Sequence, residues 1–242
     1  AQLMLCTGLL PINSGTYSSQ YPNHIYPSLQ KAMREKNHSR NYLLTIDKLS
    51  TWNQGPIAQS FGIDTIIAYH DFKLTEAFGT HKRTGDGSFF AQCQEKIEKG
   101  EIWEKGENTY MQLITYSGHA PFILPEQLRE VSFSSGIPEK MGDYMTTARY
   151  TDKAIGKFVE YLKTLPQYKE TLIVITGDHE GLAYYRTELC ESPGGKDIVS
   201  DKPFTPFIVV NSPVGMRYDK VMGQIDMYPT LLNLLQLDDY YW

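Results

Sequence analysis

Apolar positions along the chain fall into two alternating patterns. Short uninterrupted runs, "TLIVIT" at 171–176 and "PFIVVN" at 206–211, predict strands covered on both faces, because a strand with one wet face would alternate with polar residues. "NYLLTID" at 41–47, "TIIAYHD" at 65–71 and "YMQLIT" at 110–115 read as further short strands. Between them lie stretches with helical spacing. "PSLQKAMREKN" at 27–37 places Leu29 and Met33 on one face, with Pro27 expected at the first helical position. "SFFAQCQEKIEKG" at 88–100 aligns Phe90, Cys93 and Ile97 and ends on Gly100 as its cap. The longest helix is expected over 142–166, with a buried stripe of Tyr144, Ala148, Ile155, Val159 and Leu162 and with Pro166 closing it. "QIDMYPTLLNLLQL" at 224–237 gives a last helix with Pro229 in its first turn.

Strands alternating with helices predict βαβ units, a mostly parallel sheet and helices on both faces. There is no internal repeat and no low-complexity linker, so residues 1–242 read as one domain, with "CESPGGKDIVSDKP" at 190–203 as a surface loop. Composition narrows the function classes. A net charge of −5 offers no basic face for nucleic acid. A membrane span needs about 20 consecutive apolar residues, which no window supplies. "AQLMLCTGLLP" lacks the basic leader of a secretion signal. Cys6, Cys93 and Cys190 stand too far apart for metal or redox spacing.

In open parallel α/β sheets, chemistry collects just beyond the carboxyl ends of the strands. Asp178 and His179 follow one expected strand, residues 117–119 follow another, and Asp47 ends a third. A carboxylate and an imidazole on adjacent loop residues suit a divalent cation, which accepts oxygen and nitrogen donors together. Alone, an Asp after a strand is as well explained as a turn or cap residue. His24, His38, His70 and His81 have no partner at ligand spacing and read as solvated or locally bonded.

"TGDHEG" at 176–181 resembles the metal-binding segment of the sulfatase and alkaline phosphatase superfamily. "LCTGLLPINSG" at 5–15 resembles the segment that follows the nucleophile there, and "GQIDMYPTLLNLL" at 223–235 resembles a late helix of the same proteins. "ITYSGHAPF" at 114–122 resembles a segment of the branch containing lipoteichoic acid synthases and phosphoglycerol transferases. These segments occur in family order and cover most of the chain.

The resemblance implies a three-layer α/β/α sandwich of alkaline phosphatase type. It implies Asp178 and His179 as metal ligands and His119 as a catalytic, substrate-side histidine that binds phosphate or protonates the leaving alkoxide. The cofactor it implies is a divalent cation, Mn²⁺ first, with Zn²⁺, Mg²⁺ or Ca²⁺ as alternatives. In "TIDKLSTWNQGPIAQSFGID" at 45–64, Asp47 and Trp52 fall at substrate-binding positions, with Trp52 as readily explained by packing at a helix start. Thr45 and Gln54 stand where the family has His and Arg, and losing that Arg removes a bidentate phosphate clamp. Arg149 and Asp152, at i and i+3, are expected to form a structural pair on the long helix.

The same resemblance places the family's first strand, its acidic ligand and its nucleophile upstream, the nucleophile about three residues before Ala1. The chain is therefore expected to be a piece of a longer protein, truncated at the N-terminus and cut at "LDDYYW", and inactive alone. The function implied is metal-dependent transfer or hydrolysis of phosphate esters on a cell-envelope polymer or lipid head group. Sulfate-ester hydrolysis and a non-catalytic binding remnant are the alternatives. The location implied is the outer face of the cell membrane or the periplasm, with membrane attachment only through upstream helices and a substrate that can be lipid-linked.

Overall fold

The computed structural model describes residues 2–78, 82–133, 136–200, 202 and 204–240. In chain order the elements are α1 (Gln2–Thr7), α2 (Tyr17–Gln20), α3 (Leu29–Asn37), β1 (Arg40–Thr45), α4 (Gln54–Ser60), β2 (Thr65–Ile67), β3 (Ala77–Phe78), β4 (Arg83–Thr84), α5 (Asp86–Glu98), β5 (Thr109–Ile114), α6 (Glu139–Lys163), β6 (Ile173–Thr176), α7 (Arg186–Glu191), β7 (Phe207–Val210) and α8 (Met227–Leu234). His81 lies outside the described residues, as do Asp201 and Pro203 of the 190–203 loop, whose first residues continue α7.

Strand β1 is the centre of a parallel sheet ordered β2-β1-β5, in register Leu44↔Ile67 on one side and Thr45↔Ile114 on the other. Its alternation builds the three layers. Tyr42, Leu44 and Ile46 enter a cluster with Phe89, Phe90 and Cys93 of α5 and Ala154, Phe158 and Leu162 of α6. Leu43 points the other way, against Ala58 of α4 and Ile63. On that second face α3, α8 and β6 share a further cluster, with Leu29, Ala32, Tyr228, Leu231 and Val174. Burying a ring such as Phe89 completely contributes about 1.5–3 kcal/mol.

Strands β6 and β7 pair antiparallel, from Ile173↔Val210 to Thr176↔Phe207. An unbroken apolar run signals burial on both faces but carries no direction, so "PFIVVN" reads the same either way. Strand β6 packs Ile173 into the α5–α6 cluster and Val174 into the α3–α8 cluster, so it spans the same two faces as β5. The described residues give β6 no partner besides β7, and β5 none besides β1. Both β5 and β6 are half-buried along their whole length, whereas β1 is buried from Asn41 onward.

Local chemistry moves several boundaries. Ser28 caps α3, which begins at Leu29, so Pro27 precedes the cap and does not occupy the first helical position; the Ser28 hydroxyl accepts the Lys31 N–H at 3.2 Å. In α6, Ala148 is exposed and Thr146 and Thr147 are buried instead. Their hydroxyls donate to the carbonyls of Gly142 and Tyr144 one turn back, so a polar residue can occupy the inner face. Arg149 and Asp152 do pair, at 3.7 Å on the exposed side of α6.

Candidate active site

The loops that follow the carboxyl ends of β5 and β6 pack together. Ala120 and Phe122 from the first loop share a cluster with Leu182 and Tyr185 from the second, against Met141 and Tyr144 at the start of α6. The Phe122 ring meets the Tyr144 ring edge-on at 5.3 Å, and Gly181 lies so close on the other side that a Cβ there would come within 2.6 Å of Tyr144 Cε2. Tyr144 thus bridges the loop carrying His119 and the loop carrying Asp178 and His179. Gly181 is required by that close approach.

The 117–122 loop is held by a buried carboxylate. Asp86, in the first turn of α5 and fully inaccessible, accepts the N–H groups of Tyr116 and Ser117 through Oδ1, both at 3.0 Å. Its Oδ2 accepts the Thr151 hydroxyl at 2.7 Å, and its own N–H donates to Ser117 Oγ at 2.9 Å. Oδ1 ties two loop N–H groups to α5 and Oδ2 ties α6 to it, and these bonds offset the cost of burying the carboxylate. His119 stacks on Tyr116, ring centroids 5.6 Å apart and ring planes nearly parallel. Its Nδ1 lies 2.7 Å from the Ala120 carbonyl. A carbonyl only accepts, so Nδ1 carries the proton and Nε2 is the outward nitrogen.

His179 repeats this arrangement: its Nδ1 donates to the Glu180 carbonyl at 2.8 Å, leaving Nε2 as the ligand-capable atom. Asp178 accepts the His179 N–H at 2.9 Å, and the two side chains lie 3.5 Å apart, both well exposed. Gln224 Nε2 donates to the carbonyls of Gly177 and Asp178, each at 3.0 Å, and α1 packs on that same Gln224–Asp226 turn. The pair is therefore next to the first helix as well as to the His119 loop. As a metal site it is half complete. Asp178 and His179 offer one oxygen and one nitrogen donor of suitable chemistry, and among the described residues no three His, Cys, Asp or Glu side chains converge as a cation would require.

Asp47 and Trp52 part company. Asp47 sits two residues beyond β1 and Tyr116 two residues beyond β5, after the last paired residues Thr45 and Ile114. It accepts the Arg83 Nε–H at 2.8 Å. Trp52 lies in the turn Thr51–Asn53 with φ of 54° and is 69% exposed, so its indole does not pack as a helix-start residue would. That turn leans on α2, where Asn53 Nδ2 donates to the Ser18 carbonyl. His24 and His70 rest edge-on against Tyr26 and Tyr69, and His38 ends α3 in the left-handed region. Sequence reasoning missed Asp86, Tyr116 and Arg83. "TGDGSFF", an acid between glycines before a helix, was the available signal for Asp86; nothing local distinguishes Arg83.

The Sulfatase family model matches residues 3–237. The lipoteichoic acid synthase-like protein YvgJ of Bacillus subtilis (strain 168) is 24% identical over 249 residues, covering 98% of this chain and 39% of its own length. Among solved structures, the lipoteichoic acid synthase LtaP from Listeria monocytogenes superposes with a TM-score of 0.75 at 22% identity, over 97% of this chain and 58% of that one. The Streptococcus pyogenes phosphoglycerol transferase GacH, in complex with sn-glycerol-1-phosphate, gives 0.70 at 15% identity, over 96% and 60%. These superpositions show the alkaline phosphatase-like fold. The chain spans about two fifths of the curated relative it matches. With a family match running nearly end to end, the chain belongs to the Sulfatase family, within the sulfatase and alkaline phosphatase superfamily, and resembles its lipoteichoic acid synthase branch.

Proposed function

We propose that this domain serves metal-dependent transfer or hydrolysis of phosphate esters, with a phosphoglycerol-type head group of a cell-envelope polymer or lipid as substrate. One observation carries the reading: two imidazoles on adjoining loops, each with Nδ1–H tied to a backbone carbonyl and Nε2 turned outward, beside a carboxylate. Asp178 and His179 would hold a divalent cation, Mn²⁺ first, and such a cation lowers the pKa of an oxygen nucleophile and polarises a phosphoryl oxygen. In its imidazolium form, His119 would bind a phosphate oxygen through the outward Nε2–H or pass that proton to the leaving alkoxide, while Nδ1–H stays on the Ala120 carbonyl and Tyr116 and Asp86 keep the loop and ring in place. Asp47 accepts a hydroxyl of the head group. Trp52 covers its carbon skeleton; a bulky residue in a left-handed turn costs of order 1–3 kcal/mol, and an exposed side chain there recovers none of it by packing. The GacH complex with glycerol phosphate supports this substrate class by fold likeness.

The remaining ligands and the nucleophile are assigned to residues preceding Ala1, and the site faces the outside of the cell membrane. No helix among the described residues is long and apolar enough to cross a membrane. The half-exposed edges of β5 and β6 support an additional strand between them, which would present its end beside Asp178. Hydrogen exchange compares this chain with its longest natural form: amides of β5 and β6 should gain protection in the longer form, and unchanged exchange rejects the inserted strand. For the activity, the longest natural form is assayed with Mn²⁺ on 4-nitrophenyl phosphate, a phosphodiester and 4-nitrophenyl sulfate. Phosphate-ester turnover is expected; turnover confined to the sulfate would make it a sulfatase, and none at all a binding remnant.

A further inference from the structure

We propose that Glu180 and Arg186 are positioning residues of this site. Their ion pair fixes the peptide whose carbonyl holds Nδ1 of His179, and so aims Nε2 of that ring. The inference rests on the phosphate-ester reading for the use of His179, and names two residues which that reading leaves idle.

The acceptor for His179 Nδ1–H is the Glu180 carbonyl, 2.8 Å away, so the ring follows the Glu180–Gly181 peptide. Both residues of that peptide are pinned. On one side, the Glu180 carboxylate meets the Arg186 guanidinium at the start of α7. On the other, Gly181 lies against the Tyr144 ring, where a Cβ would come within 2.6 Å of Cε2. Arg186 is itself anchored, because its Nη1 donates to the Ser200 carbonyl. Helix α7 is seated by Leu189, which is buried with Leu182 and Phe122. The turn from 180 to 186 thus closes on itself through one ion pair and is tied to the returning chain at 200.

The burial of this pair points to geometry as its purpose. Its side chains are 20% and 23% accessible, and among the described ion pairs only Arg83–Asp47 has both partners less exposed. Two charges withdrawn that far from water gain little net stability, because desolvation offsets most of their attraction. What the arrangement does supply is a fixed place for the Glu180 backbone. Asp178 and His179, largely exposed, receive no such packing of their own. A ligating imidazole needs its second nitrogen held, which sets both tautomer and direction, and losing such an outer partner typically costs about 10–100-fold in metal affinity. Arginine suits the task because its planar fork presents donors in two directions, to Glu180 and to Ser200, where an ammonium acts as a point charge.

The test uses the longest natural form, with Mn²⁺ alone as the probe, for wild type, Glu180→Gln, Arg186→Gln, the double variant and Arg186→Lys. None of these substitutions removes the Glu180 carbonyl or a ligand atom. Calorimetry gives the Mn²⁺ affinity. Nitrogen-15 histidine NMR of the metal-free protein, at a pH where imidazole is neutral, gives the His179 tautomer, its signal identified by its loss in His179→Gln. Tm is recorded for each. Glu180→Gln and Arg186→Gln should each weaken Mn²⁺ binding about tenfold or more and lower the fraction of His179 protonated on Nδ1. The double variant should lose no more than either single one, because the two residues act as a unit. Arg186→Lys keeps the charge and loses the second anchor, so its affinity should fall between wild type and Arg186→Gln. A lowered Tm with Mn²⁺ affinity and tautomer both unchanged would make the pair a plain brace of α7 and overturn the proposal. Should the glutamine variants fail to fold, Arg186→Lys decides alone, and wild-type affinity and tautomer there overturn it. Wild-type Mn²⁺ binding that Asp178→Ala abolishes, alongside normal affinity and tautomer in the pair variants, defeats this inference and leaves the phosphate-ester reading standing. A wild type that binds no Mn²⁺ defeats that reading, and the tautomer of the metal-free protein then decides the inference.

Discussion

The two loops that meet at Tyr144 are built in opposite ways. After β5, the chain folds over a carboxylate that is completely buried, and the Asp86 oxygens bond to Tyr116, Ser117 and Thr151. After β6, the carboxylate and imidazole of Asp178 and His179 stand largely in solvent; they bond only within their own loop, and Gln224 holds that loop by the Gly177 and Asp178 carbonyls. The difference teaches where each loop gets its order. The His119 loop is organised by the protein's own polar network, so it is fixed before substrate binds. The Asp178 loop keeps its donor atoms outward, the arrangement expected where a cation and further ligands supply the order.

That contrast can be broken at either end. The largest effect is expected from Asp178→Ala in the longest natural form: loss of bound metal and of turnover by at least about a hundredfold, with Tm nearly unchanged because the side chain supports little structure. Metal analysis beside steady-state kinetics checks it. Asp86→Ala should do the reverse to stability, costing about 3–4 kcal/mol by leaving buried N–H and O–H donors without an acceptor. Urea unfolding measures it, and a cost below about 1 kcal/mol would mean the network is not what holds the loop. Gly181→Val drives a branched side chain into the Tyr144 ring and so attacks the junction of the loops. A loss of about 1–3 kcal/mol is expected, with kcat lowered about tenfold or more as the two histidines move apart. The smallest effect belongs to Tyr116→Phe, which keeps the ring under His119 and removes only its hydroxyl; turnover within about twofold of wild type is expected.

How much of this was legible beforehand follows from what each signal encodes. The runs at 41–47 and 171–176 and the helical spacing at 88–100 reveal layers, because burial on both faces and on one stripe leave different periodicities. They say nothing of strand direction, and β7 runs opposite to β6. Asp47, Asp178 and His179 stood out because polar residues directly after apolar runs are unusual for a core, and His119 through the likeness of its segment at 114–122 to the family. Arg83 and Tyr116 carry no such mark. Arg83 reaches Asp47 from 36 positions away, and Tyr116 looks like an ordinary end of a strand. Long-range pairing creates their roles, and a local pattern cannot record it. One position of the inner stripe of α6 differs for a related reason: Thr147 bonds to its own helix and becomes buriable, while Ala148 faces water and Leu162 is buried as expected.

The most direct measurement is a crystal structure of the longest natural form with Mn²⁺ and sn-glycerol-1-phosphate. Anomalous density for Mn²⁺ within bonding distance of Asp178 Oδ and His179 Nε2, with the phosphate between that ion and His119 Nε2, is the result expected. Manganese bound elsewhere, or a phosphate remote from His119, would contradict the single shared site.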